Sequence, residues 1–100
     1  MLMALAMVSV AQTISHEFVY VADQARKSVS VAGSFNNWDR NANPMRADVD
    51  GRTWRTKIGL SVGQHQYKFV LDGEQWIVDP KSKDNRDDGN GNTNSFLTLL

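Results

Sequence analysis

An all-β fold, an immunoglobulin-like antiparallel β-sandwich of about seven strands, is what this sequence predicts, and three observations carry the prediction. Apolar and polar residues alternate at the strand period in Ser28–Ala32, Thr53–Leu60 and Gln64–Leu71. Gly-containing pairs that turn the chain, Asp50-Gly51, Val62-Gly63 and Asp72-Gly73, fall between such stretches. Beyond the first eleven residues nothing has the periodicity or the caps of a helix. Short strands with turn signals between them, in a chain of 100 residues, make one small sandwich with no repeat and no second domain.

Met1–Ala11 is apolar and uncharged, too short to cross a bilayer as a helix. It admits two readings. Ser9-Val10-Ala11 offers the small residues of an export-signal cleavage site, so the stretch reads as a signal remnant, with a secreted or periplasmic domain over 12–100. Otherwise Met7–Val10 forms an edge strand, and a cytoplasmic location follows.

Glu17–Val21 is β-branched and aromatic and reads as the first strand of the domain. Ser28–Ala32 follows, with Val29 and Val31 on one face. The loop Gly33-Ser34-Phe35-Asn36-Asn37-Trp38 comes next, and Pro44 rules out a central strand after it. Met45–Val49 is a short strand ending at the Asp50-Gly51 turn. In Thr53–Leu60, Trp54, Thr56, Ile58 and Leu60 share a face, which assigns Trp54 to the core. In Gln64–Leu71, His65, Tyr67, Phe69 and Leu71 point inward, while Gln66, Lys68 and Val70 point outward. Asp72-Gly73 makes a hairpin into Gln75–Val78. Asp79–Asn94 reads as one long polar loop, and Ser95–Leu100 closes the chain with the last strand.

Composition narrows the function. Eleven basic and eleven acidic residues cancel, so no global field favours nucleic acid or an anionic membrane. The absence of cysteine excludes disulfides, thiolate metal sites and a cysteine nucleophile. His16 and His65 lie on separate strands, and His65 is expected as a buried, satisfied imidazole. No nucleophile elbow, phosphate loop or zinc-spaced histidine pair is present, so no catalytic residue is assigned and the chain is read as a non-enzyme. Asp84, Asp87, Asp88, Asn90 and Asn92 offer hard oxygen donors. However, Arg86 stands where an EF-hand spacing needs a ligand and no glutamate closes the loop. No metal or cofactor is assigned.

Trp38 and Trp76 are left unexplained by any apolar face that must pack. Two indoles, the Lys68 ammonium, and the amides of Asn36, Asn37 and Asn94 would together make an amphipathic surface. Pyranose rings present C–H groups on their faces and hydroxyls at their edges, so flat indoles suit the faces and Lys and Asn the edges. Phe35 is the inward anchor of the loop that carries Trp38.

Four motifs occur in order: Gly33–Trp38, Tyr67–Gly73, Gln75–Pro80 and Asn94-Ser95. They resemble the family 48 carbohydrate-binding module, to which the glycogen-binding domain of the AMP-activated protein kinase β subunit belongs. The resemblance runs from about Phe18 to Leu100. It implies an immunoglobulin-like sandwich that binds α-1,4-glucan (glycogen or starch). It further implies stacking by Trp38 and Trp76, hydrogen bonding by Lys68 and Asn94, and attachment of such modules to catalytic domains. The kinase relative carries a leucine and a threonine in its last loop, whereas Asn90–Thr93 is more polar and lacks the leucine contact.

Two other readings stand beside α-glucan binding. In one the ligand is xylan or another glycan and the module accompanies a secreted esterase or glycosidase. In the other the sheet is a protein-interaction surface with no sugar ligand.

Overall fold

The computed structural model describes residues 13–100, and the reading of Met1–Ala11 as signal remnant or edge strand lies outside them. Eight strands follow one another: β1 (Thr13–Val21), β2 (Val29–Gly33), β3 (Arg46–Ala47), β4 (Thr53–Ser61), β5 (Gly63–Leu71), β6 (Gln75–Ile77), β7 (Asn85–Asp87) and β8 (Thr93–Leu99). They form two antiparallel sheets. One has the order β1-β4-β3; the other has β2-β5-β8-β7, with β6 also pairing β5. This is the sandwich that the alternation predicts.

Register explains the core. Tyr20 faces Trp54 and Phe18 faces Thr56 across β1 and β4, so one face of the smaller sheet gathers the large rings. In the larger sheet Val29 pairs with Leu71 and Val31 with Phe69. The two inner faces meet ring to ring, Phe18 on Tyr67 at 5.0 Å and Tyr20 on Phe69 at 5.3 Å between centroids. Trp54 is buried here, as its phase with Leu60 requires. Among the described residues its indole N–H has no hydrogen-bond partner. The outer face of the smaller sheet carries Glu17, Arg55 and Lys57 beside Val19 and Val21, and Arg55 there bridges Asp48 and Glu17 at 2.8 and 3.0 Å.

Turn chemistry sets the connections. At Asp72-Gly73 both residues have positive φ, 54° and 72°, and Glu74 N donates to Leu71 O at 3.0 Å, which closes a tight turn within the Asp72–Glu74 connection, Leu71 pairing with Gln75. Asp50-Gly51 instead belongs to a wider turn, in which the Asp48 and Thr53 backbones pair at 2.7 Å and the Asp50 carboxylate accepts the Arg52 and Thr53 amides at 2.9 and 2.8 Å. Val62 carries the chain from the smaller sheet to the larger one, and Gly63 makes that corner with φ 126°, where a side chain would be strained.

The structure departs from the sequence expectations in several places. The first described strand starts at Thr13 rather than Glu17, because β4 supplies partners back to Ser61. The Met45–Val49 strand shrinks to Arg46–Ala47. Pro44 lies at an edge: the Asn43–Met45 backbone runs along the open side of β2, Val31 N donating to Asn43 O at 3.1 Å and Met45 N to Val29 O at 2.8 Å. The loop expected over Asp79–Asn94 contains β7, which pairs with Thr93–Ser95 of β8, so the last strand begins at Thr93. All three β7 residues are exposed and polar, so no alternation marks them in the sequence. His65 is half-buried rather than buried, since it lies near the corner at the start of β5. Its Nε2 is hydrogen-bonding distance, 2.8 Å, from Ser61 O.

Candidate functional site

The chain turns sharply after Gly33, and the reason lies in what surrounds that glycine. A Cβ there would run into the Gln66 carbonyl oxygen and the Phe35 ring. Phe35 folds inward and stacks on Phe18 with centroids 5.6 Å apart, so it anchors the loop to the core. Ser34 ties the loop to β5, its amide donating to Gln66 O at 2.9 Å and its hydroxyl accepting from Gln66 N at 3.0 Å.

Asn36 does not join the outer surface as the sequence reading proposed. Its Oδ1 accepts the Gly33 amide at 2.9 Å, and its Nδ2 donates to Val31 O at 3.0 Å and to Asn43 Oδ1 at 2.7 Å. The side chain is therefore an internal brace. Asn37 is exposed and lies outside the groove described below. Asn37 and Trp38 both take left-handed backbone angles, φ 57° and 58°. For a residue as bulky as tryptophan this conformation is an outlier, and such strain collects at functional positions. The Trp38 amide, donating to Gly33 O at 2.9 Å, holds the turn closed.

The second tryptophan comes from the tight hairpin. Trp76 pairs with Val70 in register and so shares the outer face of the larger sheet with Lys68. Trp76 is 39% exposed, an unusual exposure for a large ring on a strand. Arg40 spans the two tryptophan-bearing segments, its Nη1 donating to Gly73 O at 3.1 Å.

The last wall is the β7–β8 hairpin, whose acidic residues bind their own turn amides. Asp87 Oδ1 accepts Gly89 N at 2.6 Å, and Asp88 Oδ1 accepts Asn90 N at 2.7 Å. Amides of its own turn hold the Asp88 carboxyl below its ordinary pKa, that of Asn90 being the largest cause and that of Asn92 a smaller one. Asn94 is buried to 5% exposure, and its Nδ2 donates to Gln66 Oε1 at 3.1 Å. The base of the hairpin is fixed from below. Tyr67 Oη donates to Asp79 Oδ2 at 2.6 Å, Asp79 N donates to Ser95 Oγ at 2.8 Å, and Ser95 Oγ donates to Asn85 Oδ1 at 2.6 Å. Burial first, and this bond second, push the Tyr67 phenol far above its ordinary pKa.

These walls enclose an open groove of about 450 Å³ lined by Trp38, Gln66, Lys68, Trp76, Asp88, Asn90, Asn92 and Asn94. The four candidates singled out from the sequence, Trp38, Lys68, Trp76 and Asn94, therefore line one surface. Gln66 was not singled out, although it shares the outward phase of Lys68. Asp88, Asn90 and Asn92 were weighed only as oxygen donors for a metal, and Asn90 and Asn92 as part of a more polar last loop, because their hairpin reads as loop.

Two indoles with amide, ammonium and carboxylate groups between them can cover the faces of a ring and bond its rim. Among the described residues the lining holds one carboxylate and no histidine, serine or cysteine, so these residues include no paired acid and base. Among the described residues no three His, Cys, Asp or Glu side chains are grouped to hold a metal ion. His16 and His65 lie elsewhere; burial lowers the His16 pKa, with Asp79 the largest opposing influence.

Comparison with known proteins bears on this groove. A family model described as the glycogen recognition site of AMP-activated protein kinase matches residues 15–99. The chain is 41% identical over 54 residues to the human 5'-AMP-activated protein kinase subunit beta-2, covering 54% of this chain and 18% of that subunit. It is 42% identical over 54 residues to the pig subunit beta-1, covering 54% of this chain and 40% of that sequence. The chain thus spans less than half the length of the curated relatives it matches.

Proposed function

Since the chain belongs to the family of AMP-activated protein kinase glycogen recognition sites, a family of non-catalytic carbohydrate-binding modules, we propose that its groove binds α-1,4-glucan such as glycogen or starch. Trp38 and Trp76 stack on sugar faces in this reading, while Lys68 and Asn94 bond hydroxyls. The observation that supports it most is the convergence of two tryptophans, from separate segments, on one groove with a polar wall. An indole buries roughly 150–250 Å², and ordering a flexible chain offsets much of that gain, so affinity is micromolar to millimolar and rises with chain length. Weak, reversible contact suits a tether that keeps an attached catalytic domain near its polymer.

Native gels cast with glycogen, soluble starch or xylan test the ligand. Retardation by glycogen and starch but not xylan supports the reading. Retardation by xylan alone moves the assignment to a β-linked glycan, which the polar Asn90–Thr93 turn favours as the second reading. Free migration in all three gels leaves the protein-interaction reading.

A further inference from the structure

The groove contains opposite charges that are not joined to each other. Lys68 and Asp88 both line it, and among the described residues neither takes part in an ion pair. Asp88 is held firmly. Its amide donates to Asn92 O at 2.8 Å, and its Oδ1 accepts Asn90 N at 2.7 Å and Asn92 N at 3.3 Å. Oδ2 lies 3.5 Å from Asn94 Nδ2, at the edge of bonding distance, which leaves that oxygen most of its acceptor capacity. One carboxylate oxygen is thus fixed by the backbone while the other is turned toward the polar wall.

We infer that Asp88 is a specificity residue of this groove, accepting hydroxyl hydrogen bonds from uncharged glucan and offsetting Lys68 so that phosphate-bearing chains are disfavoured. The inference rests on the reading of the groove as a glucan site. The physical basis is charge at short range. A glucan carries hydroxyls, each able to donate to Oδ2, and bonds to an ionised acceptor are stronger than neutral ones. A phosphate ester in the same groove would meet the Lys68 ammonium favourably and the Asp88 carboxylate unfavourably. Both groups are half-buried in the groove, where charges are screened less than on an open surface. Removing the carboxylate charge leaves Lys68 unopposed. The preference should then move toward phosphorylated chains while the neutral chain loses a contact.

The test measures dissociation constants for maltoheptaose and for a maltooligosaccharide carrying a glucose 6-phosphate, using tryptophan fluorescence, in the wild-type chain and in Asp88→Asn. The ratio of the two constants should shift by about tenfold in favour of the phosphorylated chain. Asp88→Glu keeps the charge and should leave the ratio near wild type. Asp48→Asn, a charge change on the far sheet, should not alter it either. A wild-type protein that binds maltoheptaose while Asp88→Asn keeps the ratio within about twofold overturns the inference and leaves the glucan reading standing. An equal shift in Asp88→Glu also overturns it, because the effect would then come from loop geometry rather than charge. A wild-type chain that binds neither sugar overturns the glucan reading and this inference with it.

Discussion

Replacing Asn36 with alanine separates the brace of the Trp38 turn from the residue that the turn presents. The change removes three hydrogen bonds, to Gly33 N, Val31 O and Asn43 Oδ1, at 2.9, 3.0 and 2.7 Å. A bond of this kind contributes about 0.5–1.5 kcal/mol net, so the loss amounts to about 2–4 kcal/mol. Part of that returns, because the left-handed Asn37 and Trp38 can relax once the brace is gone. That conformation costs roughly 1–2 kcal/mol per residue, less for asparagine. A net destabilisation of about 2 kcal/mol lowers the melting temperature of a domain this size by about 8–16 °C. Thermal denaturation followed by circular dichroism reads that shift. Maltoheptaose titration at a temperature where the variant is folded reads the second consequence, a weaker affinity, since Trp38 no longer holds its strained pose. A melting temperature unchanged within about 2 °C refutes the brace. A lowered melting temperature with unchanged affinity refutes the link from the brace to Trp38.

Two further predictions concern stability. Trp54→Ala, in the core between the sheets, costs about 3–5 kcal/mol by urea denaturation yet leaves glucan affinity unchanged at temperatures where the variant is folded. Trp54→Phe costs much less, because it also deletes an indole N–H that has no partner among the described residues. The Asp50 carboxyl, held to about 2 by the Thr53 amide first, then the Thr53 hydroxyl and the Arg52 amide, sits below its ordinary value of 3.8. Its folded pKa is depressed, so its contribution is complete above 3.8 and is lost as the pH falls toward about 2. The stability gap between wild type and Asp50→Asn should therefore be constant above about pH 4 and close below it, as acid titrations at fixed urea would show.

The parts of the fold legible in the sequence were those where one face is buried and the other is not. Trp54 and Leu60 alternate with Arg55 and Lys57 because β4 has one face in the core and the other in solvent. Asp72-Gly73 was legible because its positive φ values demand those residue types. β7 was not, because Asn85, Arg86 and Asp87 are solvated on both faces and their pairing is imposed by β8. The same cause kept Asp88, Asn90 and Asn92 from being assigned to the groove, since their place in it depends on a hairpin that leaves no hydrophobic trace. Asn36 was misassigned for a different reason. An amide beside an exposed aromatic suits a sugar hydroxyl and a loop backbone equally well, and only the geometry shows that the backbone has taken it. Trp38 and Trp76 could be singled out by what they failed to do, namely fall in phase with a buried face.

The most direct test of a two-indole glucan site is the dissociation constant of maltoheptaose, followed by tryptophan fluorescence, for the wild-type chain, Trp38→Ala and Trp76→Ala. Saturable binding with a fluorescence change is expected in wild type. A loss of at least about tenfold is expected in each variant, with both variants melting near the wild-type temperature, because neither indole belongs to the core. Wild-type binding that persists unchanged in both variants, or the absence of any binding up to millimolar sugar, would contradict such a site.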